Sequence, residues 1–243
     1  MLSIVRSAIV RGTTANIVQV EVHVDQRGLP GVSIVGVPDA PQREIRDRVR
    51  AAMLSSGLPW PQKRITVNLA PAGAQLWAGL DLAIAVGVIR AAELAEVTDA
   101  PVFVGQLGLD GSIHQVPGIV AIRDAAEALE LPVYDAGRPG LHRGFATLAD
   151  LVADVAAPAV EPPAPPVDGR SIDDIAGRAR LKFAMQVAAV GRHHLLIRGE
   201  RGSGQHAAAE RIASLLPDLD DEAAHEVDVI RDAAGGGVSR EPH

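Results

Sequence analysis

Residues 199–206 read Gly-Glu-Arg-Gly-Ser-Gly-Gln-His, between the apolar run His194 to Arg198 and a stretch rich in helix formers. Gly199 and Gly204 stand at the spacing of the phosphate-binding loop G-x-x-x-x-G-K-[ST], with Gly202 and Ser203 between them. In a working loop of this kind, backbone N–H groups and the following helix start cradle the phosphates. The lysine neutralises their charge, and the hydroxyl holds Mg²⁺. Here the lysine position is Gln205 and the hydroxyl position is His206. Glutamine is neutral and shorter, so a charge-assisted contact worth roughly 1.5–3 kcal/mol is lost. Imidazole is a poor partner for Mg²⁺, which prefers oxygen. Glu200 adds negative charge where phosphate would sit, and Arg201 does not reproduce the lysine's geometry. Two readings stand: a plain glycine-rich turn, or a weak nucleotide cradle made of Gly199, Gly202, Ser203, Gly204, Gln205 and His206. On either reading ATP and Mg²⁺ are at most weakly held cofactors, and ATP hydrolysis is not expected.

A second group is cationic. Arg43, Arg46 and Arg50, with Arg48, Lys63 and Arg64 nearby in sequence, could contact DNA phosphates. Glu44 and Asp47 are interleaved among them, which favours a solvated, salt-bridged helix face. His193 and His194 are adjacent at a strand start and point to opposite faces, so no metal centre is expected there. His23 and His114 read as surface or hydrogen-bonded strand residues. The chain has no cysteine, which excludes a disulfide framework, a thiolate zinc site and a cysteine nucleophile, and fits a cytoplasmic protein. The net charge of −7 does not mark a nucleic-acid glove. The longest apolar run, Leu80 to Val88, contains Asp81 and is too short for a bilayer, so no membrane association is expected.

The elements that would position these residues follow from composition and period. Hydrophobic residues make up 47% and aromatics 2%, so the core is built from Val, Ile, Leu and Ala, as in α/β packing. Val18, Val20, Val22 and Val24 alternate on one face of a strand from Ile17 to Val24. A strand at Val32 to Val37 leads to a helix capped by Asp39 and running to about Ser56, with Ile45, Val49, Ala52 and Met53 on one face. A strand at Ile65 to Leu69 and a buried helix from Leu80 to Leu94 follow. Strands Val102 to Leu109 and Ser112 to Val116 flank the turn pair Asp110-Gly111. A helix from Gly118 to Leu129, a strand at Val133 and a helix from Ala146 to Val155 complete this part. The closely spaced prolines between Ala156 and Gly169 bar helix and central strand alike. The expected division is a front domain 1–156, a linker 157–169 and a module 170–243. That module holds a helix from Ile172 to Val190, a strand at His194 to Arg198, a helix from Ala207 to Leu216 and a disordered tail from Ala233.

Several segments together carry a resemblance. Gly28-Leu-Pro-Gly31 with Ile34-Val-Gly-Val-Pro-Asp39 is similar to the GLPG…IVGLPD segment of the ComM/YifB family, the magnesium-chelatase-like AAA+ proteins. The Arg43 to Arg50 stretch with Ser55-Ser56-Gly57, the loop Asn68-Leu-Ala-Pro71, the helix start Leu80-Asp-Leu-Ala-Ile-Ala85 and the hairpin Leu107 to Gly118 resemble further family segments. So do Asp173-Asp-Ile-Ala-Gly177, Leu215-Leu-Pro-Asp-Leu219 and the strand entering the glycine loop.

The resemblance implies a Lon-protease-like (ribosomal-protein-domain-like) α/β front domain, followed by the first strand–loop–helix portion of an AAA+ P-loop domain. It implies a hexameric ATPase driving DNA branch migration in recombination and transformation. The departures are specific: the family loop GPPG[ST]GK[ST] ends here in Gln205-His206, and the family's K-E-G segment is replaced by Ala74 to Gly79. A Lon-type Ser–Lys dyad would fall near Gly79 and Val120, neither of which can do that work. Asp228 follows no long apolar strand, and the residues after the loop are not expected to supply an acidic Mg²⁺ strand, a sensor or an arginine finger. The resulting expectation is a family chain without ATPase or peptidase activity. Its partners would be copies of itself or a full-length family member, with weak nucleotide or DNA binding as the alternative.

Overall fold

The computed structural model describes residues 1–25, 29–71, 76–136, 143–157, 171–200 and 202–235. The chain divides into two compact units, Met1–Glu161 with Val229–Val238 and Pro162–Asp228 with Ser239–His243. Most of the proline-rich linker (158–169), and the end of the expected tail (236–243), lie outside the described residues.

In the first unit, β1 (Leu2–Arg11) and β2 (Thr14–Asp25) form a long antiparallel hairpin, closed across Gly12 and Thr13 by the pair Arg11↔Thr14. β2 continues antiparallel to β4 (Arg64–Ala70), and β4 pairs in parallel with β3 (Gly31–Ile34). On the other side β1 pairs in parallel with β5 (Val102–Phe103), then β8 (Val133–Asp135) and β9 (Arg143–Gly144) follow, also parallel. The result is a seven-stranded mixed sheet, β3-β4-β2-β1-β5-β8-β9, with mainly parallel pairings. β6 (Gln106–Leu107) and β7 (Ile113–His114) form a separate antiparallel ribbon.

The two sheet faces carry different cores because side chains alternate along each strand. Val18, Val20, Val22 and Val24 are all buried, and with Val5 and Ile9 they face α1 (Asp39–Ser55) and α2 (Asp81–Ala91). Ala8, with Val10 and Ile17, faces the opposite way onto α3 (Ile119–Glu127). Gly87 lets α2 lie close on the sheet: a Cβ there would sit 2.4 Å from Cγ2 of Val22. The expected inner face of α1 is buried at Ile45, Val49, Ala52 and Met53, and Gly57, with φ +76°, ends the helix.

Some expectations are corrected. Asp39 is the first helical residue and Pro38 holds the N-cap position. The stretch 102–109 is not one strand, because Gly105 turns it toward the start of α2. Gly105 N–H donates to Gly79 O (3.0 Å), and Gly105 O accepts from Leu82 N–H (3.1 Å). β9 was not anticipated, since a two-residue edge pairing leaves no period to read. The last helix of this part is shorter than expected: α4 (Leu148–Val152) starts at a capping box formed by Thr147 and Asp150.

In the second unit the stretch 172–190 is broken. A 3₁₀ turn, Ile172–Asp174, is separated from α5 (Ala179–Gly191) by Gly177 and Arg178, both at positive φ. α6 (Gln205–Arg211) begins two residues earlier than expected and ends in the 3₁₀ turn Ala213–Leu215. α7 (Asp221–Ala233), whose residues from Val229 onward are counted with the first unit, is capped by Asp220 Oδ1 accepting from Ala223 N–H at 2.8 Å and runs where no element was expected. Asp228 lies on it. A small core of Ile172, Met185 and Ala208 is flanked by Ile175, Leu181, Leu195, Ile197, Ile212 and Leu215. Residues 194–198 alternate as a strand would, with Leu195 and Ile197 half-buried and Leu196 exposed. They form no ladder, because the described residues of this unit offer no strand to pair with. The strand of the expected strand–loop–helix thus forms no ladder among the described residues.

Candidate functional site

The glycine loop is shaped by backbone freedom. Gly202 and Gly204 both have φ +81°, a left-handed conformation open to glycine at little cost. Gly199 leaves room for the side chains of the turn: a Cβ there would lie 2.4 Å from Ser203 Oγ and 3.0 Å from Gln205 Nε2, so these would have to shift. Gly199, Gly202, Ser203, Gly204, Gln205 and His206 are therefore brought into one turn, with Gly204 at the N-cap of α6. Arg201 lies outside the described residues.

The two residues that replace the lysine and the hydroxyl are both engaged within the chain. Gln205 Nε2 donates to Glu200 O at 3.0 Å, the same carbonyl that accepts from Ser203 N–H at 3.0 Å. The amide is thereby folded back across its own loop. The His206 side chain is 90% exposed and points along α6 to Glu210 Oε1, 3.2 Å away. It does not face the turn as a metal-holding hydroxyl would.

One residue not weighed from sequence stands beside the loop. The Arg178 guanidinium lies 3.3 Å from the position a Gly204 Cβ would take, so this cation packs on the backbone at the start of α6. The signal for it was faint: Arg178 directly follows the Asp173 to Gly177 segment. That segment is placed by its isoleucines, with Ile172 and Ile175 in the small core and Ser171 and Asp174 forming a capping box. Inside the unit Arg211 NH1 donates to Ala207 O (3.0 Å), with its Nε 3.7 Å from Asp174 Oδ2.

The arginines of α1 divide. Arg43 and Arg50 are exposed, and neither makes an ion pair among the described residues. Arg46 is half-buried and paired with Asp47 at 2.8 Å. Arg48 is turned inward: its Nε and NH2 bind the two oxygens of Asp81 at 2.8 and 3.2 Å, and NH1 reaches Glu44 at 2.6 Å. Asp81 is wholly buried and also accepts from Leu107 N–H (3.3 Å). Burial pushes its carboxyl above the ordinary range, while Arg48 opposes this. The hydrogen bond to Asp81 raises the guanidinium. A pair joining the arginine-rich segment to the Leu80–Ala85 segment was not read from sequence, where Asp81 is only an interruption in an apolar run.

At the position where a Lon-type serine would fall, a Cβ on Gly79 would meet the Trp77 ring at 2.4 to 2.7 Å, and Trp77 Nε1 donates to Ala8 O (3.0 Å). Val120 N–H is taken by Asp232 Oδ2 at 2.8 Å. On the β6–β7 ribbon, Ser112 Oγ lies 2.6 Å from Asp110 Oδ1 and 3.0 Å from His114 Nε2. The Ser112 hydroxyl and N–H hold Asp110 below the usual carboxylate range. Since that hydroxyl donates to Asp110, it is a turn brace and not an activated nucleophile. His193 and His194 are exposed, and no cluster of three metal-ligating side chains occurs among the described residues. No described helix is long and apolar enough to cross a membrane.

Comparison with known proteins gives the class. The family described as Subunit ChlI of Mg-chelatase matches residues 20–132, and that described as Magnesium chelatase, subunit ChlI matches residues 171–242. Both units are thus of the magnesium-chelatase ChlI type. Among curated proteins, YifB of Escherichia coli is 38% identical over 246 residues, covering 93% of this chain and 48% of its own. Competence protein ComM of Haemophilus influenzae is 34% identical over 243 residues, covering 90% of this chain and 48% of its own. An uncharacterized protein of Mycobacterium tuberculosis is 34% identical over 248 residues, covering 94% and 49%. The chain belongs to the ComM/YifB family of magnesium-chelatase-like AAA+ proteins. It spans about half the length of the curated relatives it matches.

Proposed function

We propose that this is a ComM-like chain whose glycine loop does not turn over ATP, and which acts through association with copies of itself or with a full-length family member. The observation that carries this reading is the Gln205 amide bonded at 3.0 Å to Glu200 O. A neutral side chain folded onto its own loop brings no cation to phosphate, and His206 is directed to Glu210. The front domain is proposed to be Lon-like in fold and without peptidase activity, Gly79 and Trp77 filling the place a serine would need. The setting is proposed to be the cytoplasm and the process DNA recombination or transformation, in line with the family and with the competence named for the Haemophilus relative.

A second reading has its own support. Arg178, packed at Gly204, places positive charge beside the loop, and Arg43, Arg46 and Arg50 line one side of α1. Together they favour weak binding of nucleotide or DNA phosphate without hydrolysis. Melting in millimolar Mg-ATP separates the two, since a ligand that binds only the folded state raises stability by mass action. An unchanged midpoint supports the first reading. A rise that saturates with ATP replaces it with the second.

A further inference from the structure

In the first unit β3 is an edge strand, and its outer row of backbone groups is closed on both sides of a single residue. Gly31 N–H and Val35 N–H donate inward, to Lys63 O (3.4 Å) and Val67 O (2.9 Å), so the alternate residues Val32 and Ile34 direct theirs outward. Ile34 is satisfied locally: its N–H donates to Gln42 Oε1 at 2.9 Å, and its C=O accepts from Val37 N–H at 3.4 Å. Pro30, next along the row, has no N–H to offer. Val32 alone keeps an outward N–H and C=O without partners among the described residues. Edge strands are ordinarily blunted along their length, and here the blunting leaves one gap. Beside that gap lies an open cavity of about 300 Å³ lined by Leu29, Gly31, Val32, Ser33 and Arg64. Leu29 is 87% exposed, and a Cβ on Gly31 would meet nothing within 4 Å. Arg64 is exposed and makes no ion pair among the described residues, although Asp25 is its register partner on β2.

We propose that the Val32 edge of β3 is a docking point for a short extended peptide that carries a carboxylate. One residue of such a peptide, running antiparallel, exchanges both backbone hydrogen bonds with Val32. The register is fixed, because the backbone of Ile34 is already engaged and Pro30 has no donor. Side chains alternate along an added strand, so the residues before and after the paired one lie on the face of Gly31 and its register partner Arg64. A carboxylate there enters the cavity and meets the guanidinium, which suits it in a two-pronged, charge-assisted contact. Charge selects the occupant. Arg64 is the cation lining this cavity, whereas the chain as a whole carries −7, so attraction of an acidic peptide is a local property of this edge. Leu29 supplies apolar cover beside it. The site lies wholly on the first unit and is independent of the glycine loop and of the association role proposed above.

The test is fluorescence anisotropy of the full 243-residue chain with a short labelled peptide of alternating valine and glutamate, set against valine–glutamine and valine–lysine versions. The expected result is saturable binding of the glutamate peptide, about tenfold weaker with glutamine and lost with lysine. Arg64→Gln should bring the glutamate peptide down to the affinity of the glutamine one. Gly31→Val fills the cavity without meeting a neighbour, so its melting stays unchanged while binding is lost. In the complex the Val32 amide should exchange more slowly with solvent than in the free chain. No binding at millimolar peptide overturns the proposal, as do equal affinities for the three peptides. Binding that survives Arg64→Gln, or that survives Gly31→Val in a normally melting protein, overturns it as well. So does a dimer of the chain alone with the Val32 amide protected, which makes the occupant a second copy.

Discussion

At the residue scale two pairs of side chains matter, one for the chemistry of the glycine loop and one for stability. Gln205 and His206 stand where a cation and an oxygen ligand would be, and each is engaged within the chain, Gln205 by Glu200 O and His206 by Glu210. The double change Gln205→Lys with His206→Ser is expected to strengthen Mg-ATP binding. The gain should be about ten- to a hundredfold in affinity, the equivalent of a charge-assisted contact, measured as a saturable rise in melting temperature. Arg48 and Asp81 act on stability instead. Arg48→Met leaves a buried carboxylate uncompensated, and urea unfolding at neutral pH should show a loss of about 3 kcal/mol. Replacing both partners, Arg48→Met with Asp81→Leu, should recover most of it. The pH dependence has a definite sign. The folded-state pKa of Asp81 is raised, so its contribution to stability is present below the ordinary carboxylate pKa and is lost as pH rises through the folded value. Removing Arg48 raises it further, so the penalty of Arg48→Met is largest at neutral pH and shrinks as pH falls toward 4, roughly the ordinary carboxylate range.

At the scale of elements, the first unit was legible where period was long. β2 and α1 followed from runs such as Val18 to Val24 and Ile45 to Met53, because each presents one continuous buried face. The legibility failed where tertiary contacts overrode local pattern. Gly105 breaks an apolar run into two strands because its N–H and C=O are taken by Gly79 and Leu82, residues far away in sequence. The segment 194–198 has the alternation of a strand and no ladder, since pairing depends on another element and not on its own sequence. The motif was enough to bring Gly199, Gly202, Ser203 and Gly204 together in a turn at the start of α6. Arg178 was not legible, because nothing in the sequence says that it meets Gly204. Close helix–sheet packing gives an element-scale expectation. Gly87→Ala should cost about 1–3 kcal/mol by overpacking, read from denaturant midpoints. Val22→Ala in the same chain should relieve part of that cost, since Val22 Cγ2 is the atom met at 2.4 Å.

For the whole molecule, the proline-rich sequence between Ala156 and Gly169 is the expected linker. A broad-specificity protease is expected to cut within that stretch and release a front fragment near residues 1–156 that keeps cooperative melting, because the seven-stranded sheet and α1 to α4 lie within it. Rapid loss of the front fragment instead would show that it depends on the rest of the chain. The proposed association role, in which nucleotide turnover plays no part, draws its support from the family and the altered loop. The most direct measurement is phosphate release from Mg-ATP by the purified chain. The rate predicted is that of a protein-free control, at every ATP concentration up to the millimolar range. Release well above that control, abolished by Gly204→Ala, would contradict the account.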